Sequence, residues 1–75
     1  MTLDEFVKVV ANEFETTPVE TFNAQTHFRE LDEWSSLLAL SVLSSIDDEF
    51  DIILTGGDIR KCTTIEDLYN IALNK

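Results

Sequence analysis

Asp32-Glu33-Trp34-Ser35-Ser36-Leu37 is the stretch of this sequence best suited to chemistry. It stands where a long connection gives way to an apolar-periodic helix, so its serines fall at a helix N-terminus. There a side chain has no preceding turn beside it, and its hydroxyl is exposed. The first backbone N–H groups of a helix are unpaired and the dipole end is positive, which favours an anion. A serine so placed suits a phosphodiester. The plainer reading makes Ser35 and Ser36 only N-caps, a role Ser commonly fills. Local sequence leaves both readings open.

The other reactive residues support no catalytic set. A serine hydrolase needs a base and an orienting acid beside its nucleophile. His27 is the single histidine and lies in the long connection, where it reads as a surface or half-packed imidazole. Cys62 is the single cysteine and reads as a small hydrophobe between two helices. Asp47-Asp48-Glu49-Phe50-Asp51 invites a calcium loop, but the sixth and twelfth positions counted from Asp47 are Ile52 and Asp58, not Gly and Glu. The run is better read as a solvated helix end. Gly56-Gly57 lacks the Lys-Ser/Thr of a phosphate loop and instead lets the chain turn tightly into a helix. No metal site and no catalytic residue is expected.

Composition narrows the class further. Fifteen Asp and Glu against five Lys and Arg, in 75 residues, leave a net charge of −10. Nucleic acid requires phosphates to be neutralised by a basic face, and anionic membranes require the same. The charge therefore points to partners with basic patches. A hydrophobic share of 44% argues against disorder. A chain this short buries only about 60% of its unfolded surface. We expect one domain over residues 1–75, with little room for an enzyme's closed pocket. One cysteine allows no internal disulfide, the start lacks a signal-peptide pattern, and the longest apolar run is Leu37-Leu38-Ala39-Leu40. These features predict a cytoplasmic protein.

The elements that must position the serines follow from periodicity and caps. Thr2 and Glu5 form a capping box, and Leu3, Phe6, Val7, Val10 and Phe14 recur at helical spacing, predicting a helix that ends near Phe14 to Glu15. Residues 16 to 35 form a long, ordered connection anchored by Phe22, Phe28, Leu31 and Trp34. Within it Thr17-Pro18-Val19-Glu20 resembles a cap, an N1 proline and an N3 glutamate opening one helical turn. The second helix starts at Ser35 or Ser36 and runs to about Phe50, with Ala39, Leu40, Val42, Leu43, Ile46 and Phe50 facing the core. Thr55-Gly56-Gly57-Asp58 opens a short helix ending near Lys61. Thr64 to Asp67 is a capping box for a last helix with Ile65, Leu68, Tyr69 and Ala72 inward. The sum is an all-α, small antiparallel four-helix bundle, three main helices plus one short.

At this point the sequence resembles the acyl carrier protein family over nearly its whole length. That family carries a serine within Asp-Ser-Leu at the start of its second helix, and this chain reads Ser35-Ser36-Leu37. Phe50 follows Ser36 by fourteen residues, inside Asp48-Glu49-Phe50-Asp51, which is similar to the family's Glu-Glu-Phe-Asp. Asp58 to Leu68 is similar to its short helix, Thr-Thr cap and last helix.

The resemblance implies that Ser36 carries 4′-phosphopantetheine, taken from coenzyme A by a separate magnesium-dependent phosphopantetheinyl transferase. Ser36 is then an attachment point and not a nucleophile of catalysis. It further implies a monomer that carries acyl groups as thioesters and meets acyl-loading and acyl-transfer enzymes. Acyl-lining candidates are Leu40, Leu43, Ile46, Leu54, Ile59, Ile65, Leu68 and Tyr69. Docking candidates are Trp34, Ser35, Leu37, Leu38, Ser41, Ser44, Ser45 and Asp48. An aminoacyl or peptidyl carrier, or an unmodified acidic interaction module, are the alternatives. Two departures stand out. Ser35 replaces the family's Asp, with Asp32 and Glu33 available to substitute. No charge lies between Glu33 and Asp47, so apolar contact should outweigh charge steering on the docking helix.

Overall fold

A computed structural model describes residues Met1–Lys75. Helix α1 spans Leu3–Ala11 and buries Phe6, Val7, Val10 and Ala11. Its capping box closes as expected: the Thr2 N–H donates to Glu5 Oε1 at 2.8 Å and the Glu5 N–H to Thr2 Oγ1 at 3.2 Å. The helix stops earlier than periodicity predicts. The Glu13 and Phe14 N–H groups bond back to Val10 and Ala11 in a tighter turn. The next N–H groups, those of Glu15, Thr16 and Thr17, are taken by the Glu33 carboxylate. Donors captured by a side chain cannot extend the helical ladder. Phe14 still reaches the core, at 5% exposure.

The connection contains two 3-10 turns, Val19–Thr21 and Phe28–Glu30. The first sits where the Thr-Pro-Val-Glu reading put a turn, with a different cap. Pro18 precedes the turn in extended conformation, and the Thr17 hydroxyl donates to Glu33 rather than capping. The connection is packed over the core at several points. Phe28 is fully buried and edge-on to Trp34 at 5.2 Å, while Phe14 stacks on Trp34 at 6.2 Å. The carbonyls of Ala24 and Thr26 accept from Glu66 and Ile65, serving the first turn of the last helix.

Helix α2 spans Ser36–Phe50, with Ser35 as N-cap accepting from the Leu38 N–H at 3.1 Å. It ends at Asp51, whose φ of 56° places it in the left-handed region. That is the conformation that terminates many helices, and Asp tolerates it better than most side chains. Helix α3 (Gly56–Arg60) and helix α4 (Ile65–Leu73) each begin with a closed capping box, Thr55 with Asp58 and Thr64 with Asp67. No strand occurs, and the four helices make the small all-α bundle expected. None of them is long and apolar enough to cross a membrane.

The core joins Phe6, Val10, Phe28, Val42, Ile46, Ile65 and Leu68, with Phe6 stacked on Phe50 and edge-on to Tyr69. The faces of α2 differ from the periodicity reading in two places. Leu40, assigned to the core side, is 61% exposed. At about 100° per residue it lies roughly 140° round from the Val42–Ile46 line. Leu38, assigned outward, lies about 60° from that line. It is half-buried and packs against the core.

Candidate functional site

Ser36 occupies the first position of α2, immediately after the cap. It is exposed, and its hydroxyl makes no intramolecular hydrogen bond, whereas the Ser35 hydroxyl is held as acceptor by Leu38. Ala39 bonds to the Ser35 carbonyl, so the Ser36 and Leu37 N–H groups stay free at the positive end of a 15-residue helix. A tetrahedral anion on Ser36 therefore meets open donors and a favourable field.

Glu33 fixes the approach to this serine. Its carboxylate accepts from the backbone of Glu15, Thr16 and Thr17 and from both threonine hydroxyls. The Glu15 N–H, followed by the Thr16 and Thr17 donors, outweighs partial desolvation and holds the carboxyl down at about 2. A depressed carboxylate stabilises the fold above its unfolded value and loses that contribution on protonation. The clamp should act fully above pH 4.5 and fade as pH falls from there towards 2. We expect Glu33→Gln to melt below wild type at neutral pH, with the gap closing across that window. Melting curves recorded down the pH scale check this; a constant gap would remove the carboxylate from the role.

Glu33, offered as a substitute for the missing Asp before Ser36, is committed to the loop. Asp32 is exposed and its carboxylate makes no hydrogen bond.

A groove of about 550 Å³ opens beside the serines, lined by Arg29, Trp34, Ser35, Ser36, Ala39, Leu40, Leu43, Gly56, Ile59 and Arg60. It runs between the start of α2 and α3. Of the acyl-lining candidates it gathers Leu40, Leu43 and Ile59. Ile46, Leu54, Ile65 and Leu68 sit instead in the closed core, at 0–5% exposure, and Tyr69 is half-buried against Phe6. They face inward because core packing takes them first, and they do not line the groove.

Among the docking candidates, Leu37 is 75% exposed, and Ser35, Ser44 and Asp48 are also exposed. Ser41 and Ser45 are half-buried. Trp34 is half-buried between Phe14 and Phe28, so its ring belongs as much to the core as to the surface. Leu40, placed among the acyl-lining candidates, shares the outward face of α2 with Leu37 and Ser44.

Two contributors escaped sequence reasoning. The Arg29 Nη1 donates to the carbonyls of Arg60 at 3.2 Å and Cys62 at 2.8 Å, closing the end of α3. No spacing rule links residues 31 and 33 positions apart. Glu33 could have been suspected only as an acid beside an uncapped loop. The remaining reactive residues keep the plain roles expected of them. His27 Nδ1 lies 2.8 Å from Glu30 on the loop surface. Cys62 is buried and donates to the Asp58 carbonyl at 3.2 Å. Burial, with Asp67 nearby, pushes its thiol up to about 11.

Searches of curated proteins and of solved structures each returned no significant match. A family model described as a phosphopantetheine attachment site matches residues 4–71. That match covers α2 and α3 whole, most of α1 and α4, and the open serine at the head of α2. The chain thus belongs to the phosphopantetheine-attachment family, and it is a carrier protein whose covalent cofactor is 4′-phosphopantetheine.

Proposed function

We propose that Ser36 is the attachment residue and that the chain is an acyl carrier protein. The observation that carries this is the free, exposed Ser36 hydroxyl at the head of α2, with two unpaired N–H groups beside it. Members of the family are served by a phosphopantetheinyl transferase and by acyl-handling enzymes. In the transfer, the Ser36 oxygen bonds to the phosphorus next to the pantetheine while the pyrophosphate link of coenzyme A breaks. The hydroxyl proton is lost and the nucleotide half departs. The arm supplies a terminal thiol that holds cargo as a thioester.

This chain's own contribution is positional. Ser35 caps α2, Glu33 holds the approaching loop, and the helix end stabilises the phosphodiester. For partners, the neutral outward face of α2 offers Leu37 and Leu40 with Ser44, flanked by Asp48. Leu37 and Leu40 are 75% and 61% exposed, which supports docking driven by apolar contact. The groove's apolar lining at Leu40, Leu43 and Ile59 favours an acyl cargo.

Incubation with coenzyme A, magnesium and a broad-specificity transferase, followed by intact mass, tests the reading. One added phosphopantetheine is expected; none, beside a modified control carrier, would overturn it. A thiol count gives an independent check. With Cys62 1% exposed and its thiol pushed up to about 11, the unmodified native protein should react slowly with a thiol reagent. The modified protein should gain one fast-reacting thiol, and denaturation should release one more. Intact mass of the protein from its native cell would then separate an acyl from an aminoacyl load.

A further inference from the structure

Ser35 stands between two grooves of opposite charge. One is the groove already described, which holds Arg29 and Arg60 and no acid. The other, of about 260 Å³, lies between the head of α2 and the turn after α1. It holds Glu13, Glu15 and Glu33 and no base. Helix α2 divides its apolar residues between them, Leu40 and Leu43 on the first and Leu37 and Leu38 on the second.

The three acids of the second groove are not equivalent. Glu33 is committed to the backbone of residues 15–17 and holds that turn in place. The Glu13 and Glu15 carboxylates make no hydrogen bond. The ion pairs of the fold lie elsewhere, at Met1 with Glu5, His27 with Glu30, and Lys75 with Asp58. Buried Phe14, between the two in sequence, anchors the turn from the other side. Two free carboxylates are thus presented from a fixed backbone beside Leu37, the most exposed large apolar side chain of the molecule. The charge that the first half of α2 lacks is supplied from across the groove.

We propose that the phosphopantetheinyl transferase docks on this second groove, its cationic side chains meeting Glu13 and Glu15 and an apolar one covering Leu37 and Leu38. The inference rests on the carrier reading above and names the surface by which one partner reaches Ser36. An enzyme that brings coenzyme A to this serine holds its phosphates, which takes Arg or Lys around the mouth of its site. Such a mouth is repelled by Arg29 and Arg60 and attracted by Glu13 and Glu15, so charge fixes which side it takes. The apolar contact at Leu37 and Leu38 excludes water beside the ion pairs and strengthens them.

Modification rates with coenzyme A, magnesium and a broad-specificity transferase test this, with the carrier as the varied substrate. Glu13→Gln/Glu15→Gln should raise KM for the carrier about 10-fold with kcat unchanged, and high salt should shrink the gap. Asp4→Asn/Glu20→Gln, on the groove between α1 and the first 3-10 turn, changes net charge equally. It should stay within about twofold of wild type. Equal KM changes in the two double variants would overturn the inference, because net charge would then explain both. So would a raised magnesium requirement at unchanged KM, which would assign the acids to the metal. Ser36→Ala, which lacks the reacting hydroxyl, gives a reading independent of rate. Adding the transferase should shift the amide NMR signals of residues 13–17 and 37–41 and spare those of residues 4–8. Shifts confined to Arg29, Arg60 and the rest of α3 would overturn the docking side. Unmodified mass of the wild-type protein would instead overturn the carrier reading, and this inference with it.

Discussion

Ser36→Ala is expected to lose phosphopantetheine attachment completely, while Ser35→Ala still accepts it. On the proposed assignment, the first change removes the oxygen that would bond to phosphorus. Ser35 lies one residue away, but its hydroxyl is turned to the Leu38 N–H as the cap of α2. The two variants also separate chemistry from folding. Ser36 sits at an exposed helix position with an unbonded side chain, so its loss should leave Tm near wild type. Ser35→Ala leaves an orphan N–H at the helix start and should cost about 1 kcal/mol, or roughly 5 °C in Tm. Parallel intact-mass and melting measurements read both effects. Modification of Ser36→Ala together with its loss in Ser35→Ala would reassign the site.

Phe28→Ala should have the largest effect on stability. Phe28 is fully buried, edge-on to Trp34, and it reaches the core from the middle of the long connection. Removing a buried phenyl costs about 3–5 kcal/mol in lost burial and residual cavity. A 75-residue domain has only about 4–11 kcal/mol in total. The variant should therefore melt roughly 15 °C or more below wild type. Phe28→Leu, which keeps much of the volume, should cost about 1–2 kcal/mol. Urea denaturation of the three proteins checks the order; a small loss in Phe28→Ala would mean that the connection is not part of the cooperative core. The loop also carries Glu33 and Trp34 into the serine site, so loosening it should slow modification in step with stability.

The parts of this molecule that were legible beforehand are those encoded within a few residues. Thr2 with Glu5, Thr55 with Asp58 and Thr64 with Asp67 each close a box across three positions, and all three form. Ser35 and Ser36 stand at the head of α2 for the same reason: a capping hydroxyl precedes an apolar-periodic run. Where periodicity was pressed further it misplaced side chains. Leu40 and Leu38 exchange their expected surroundings because hydrophobicity alone does not say which part of an apolar arc meets the core. In α2 the apolar residues cover more than one face, so the packing of α1 and the loop makes that choice.

The charge pattern shows the same division. The acidic balance and the uncharged stretch from Trp34 to Ile46 are properties of sequence. That the neutral stretch presents Leu37 and Leu40 to solvent is a property of the assembled bundle.

Spacing within the chain was enough for four helices, the capping boxes of three of them, and a pair of serines at the head of the second, without choosing which of the two caps it. Helix nucleation and capping act across three or four residues, so spacing is enough to specify them. Only the tertiary structure decided that Glu33 clamps residues 15–17 and that Arg29 closes α3 from 31 and 33 positions away. It alone gathered Arg29 and Arg60 with Ser36 on one groove. Such contacts depend on how helices meet, and no local periodicity carries that information.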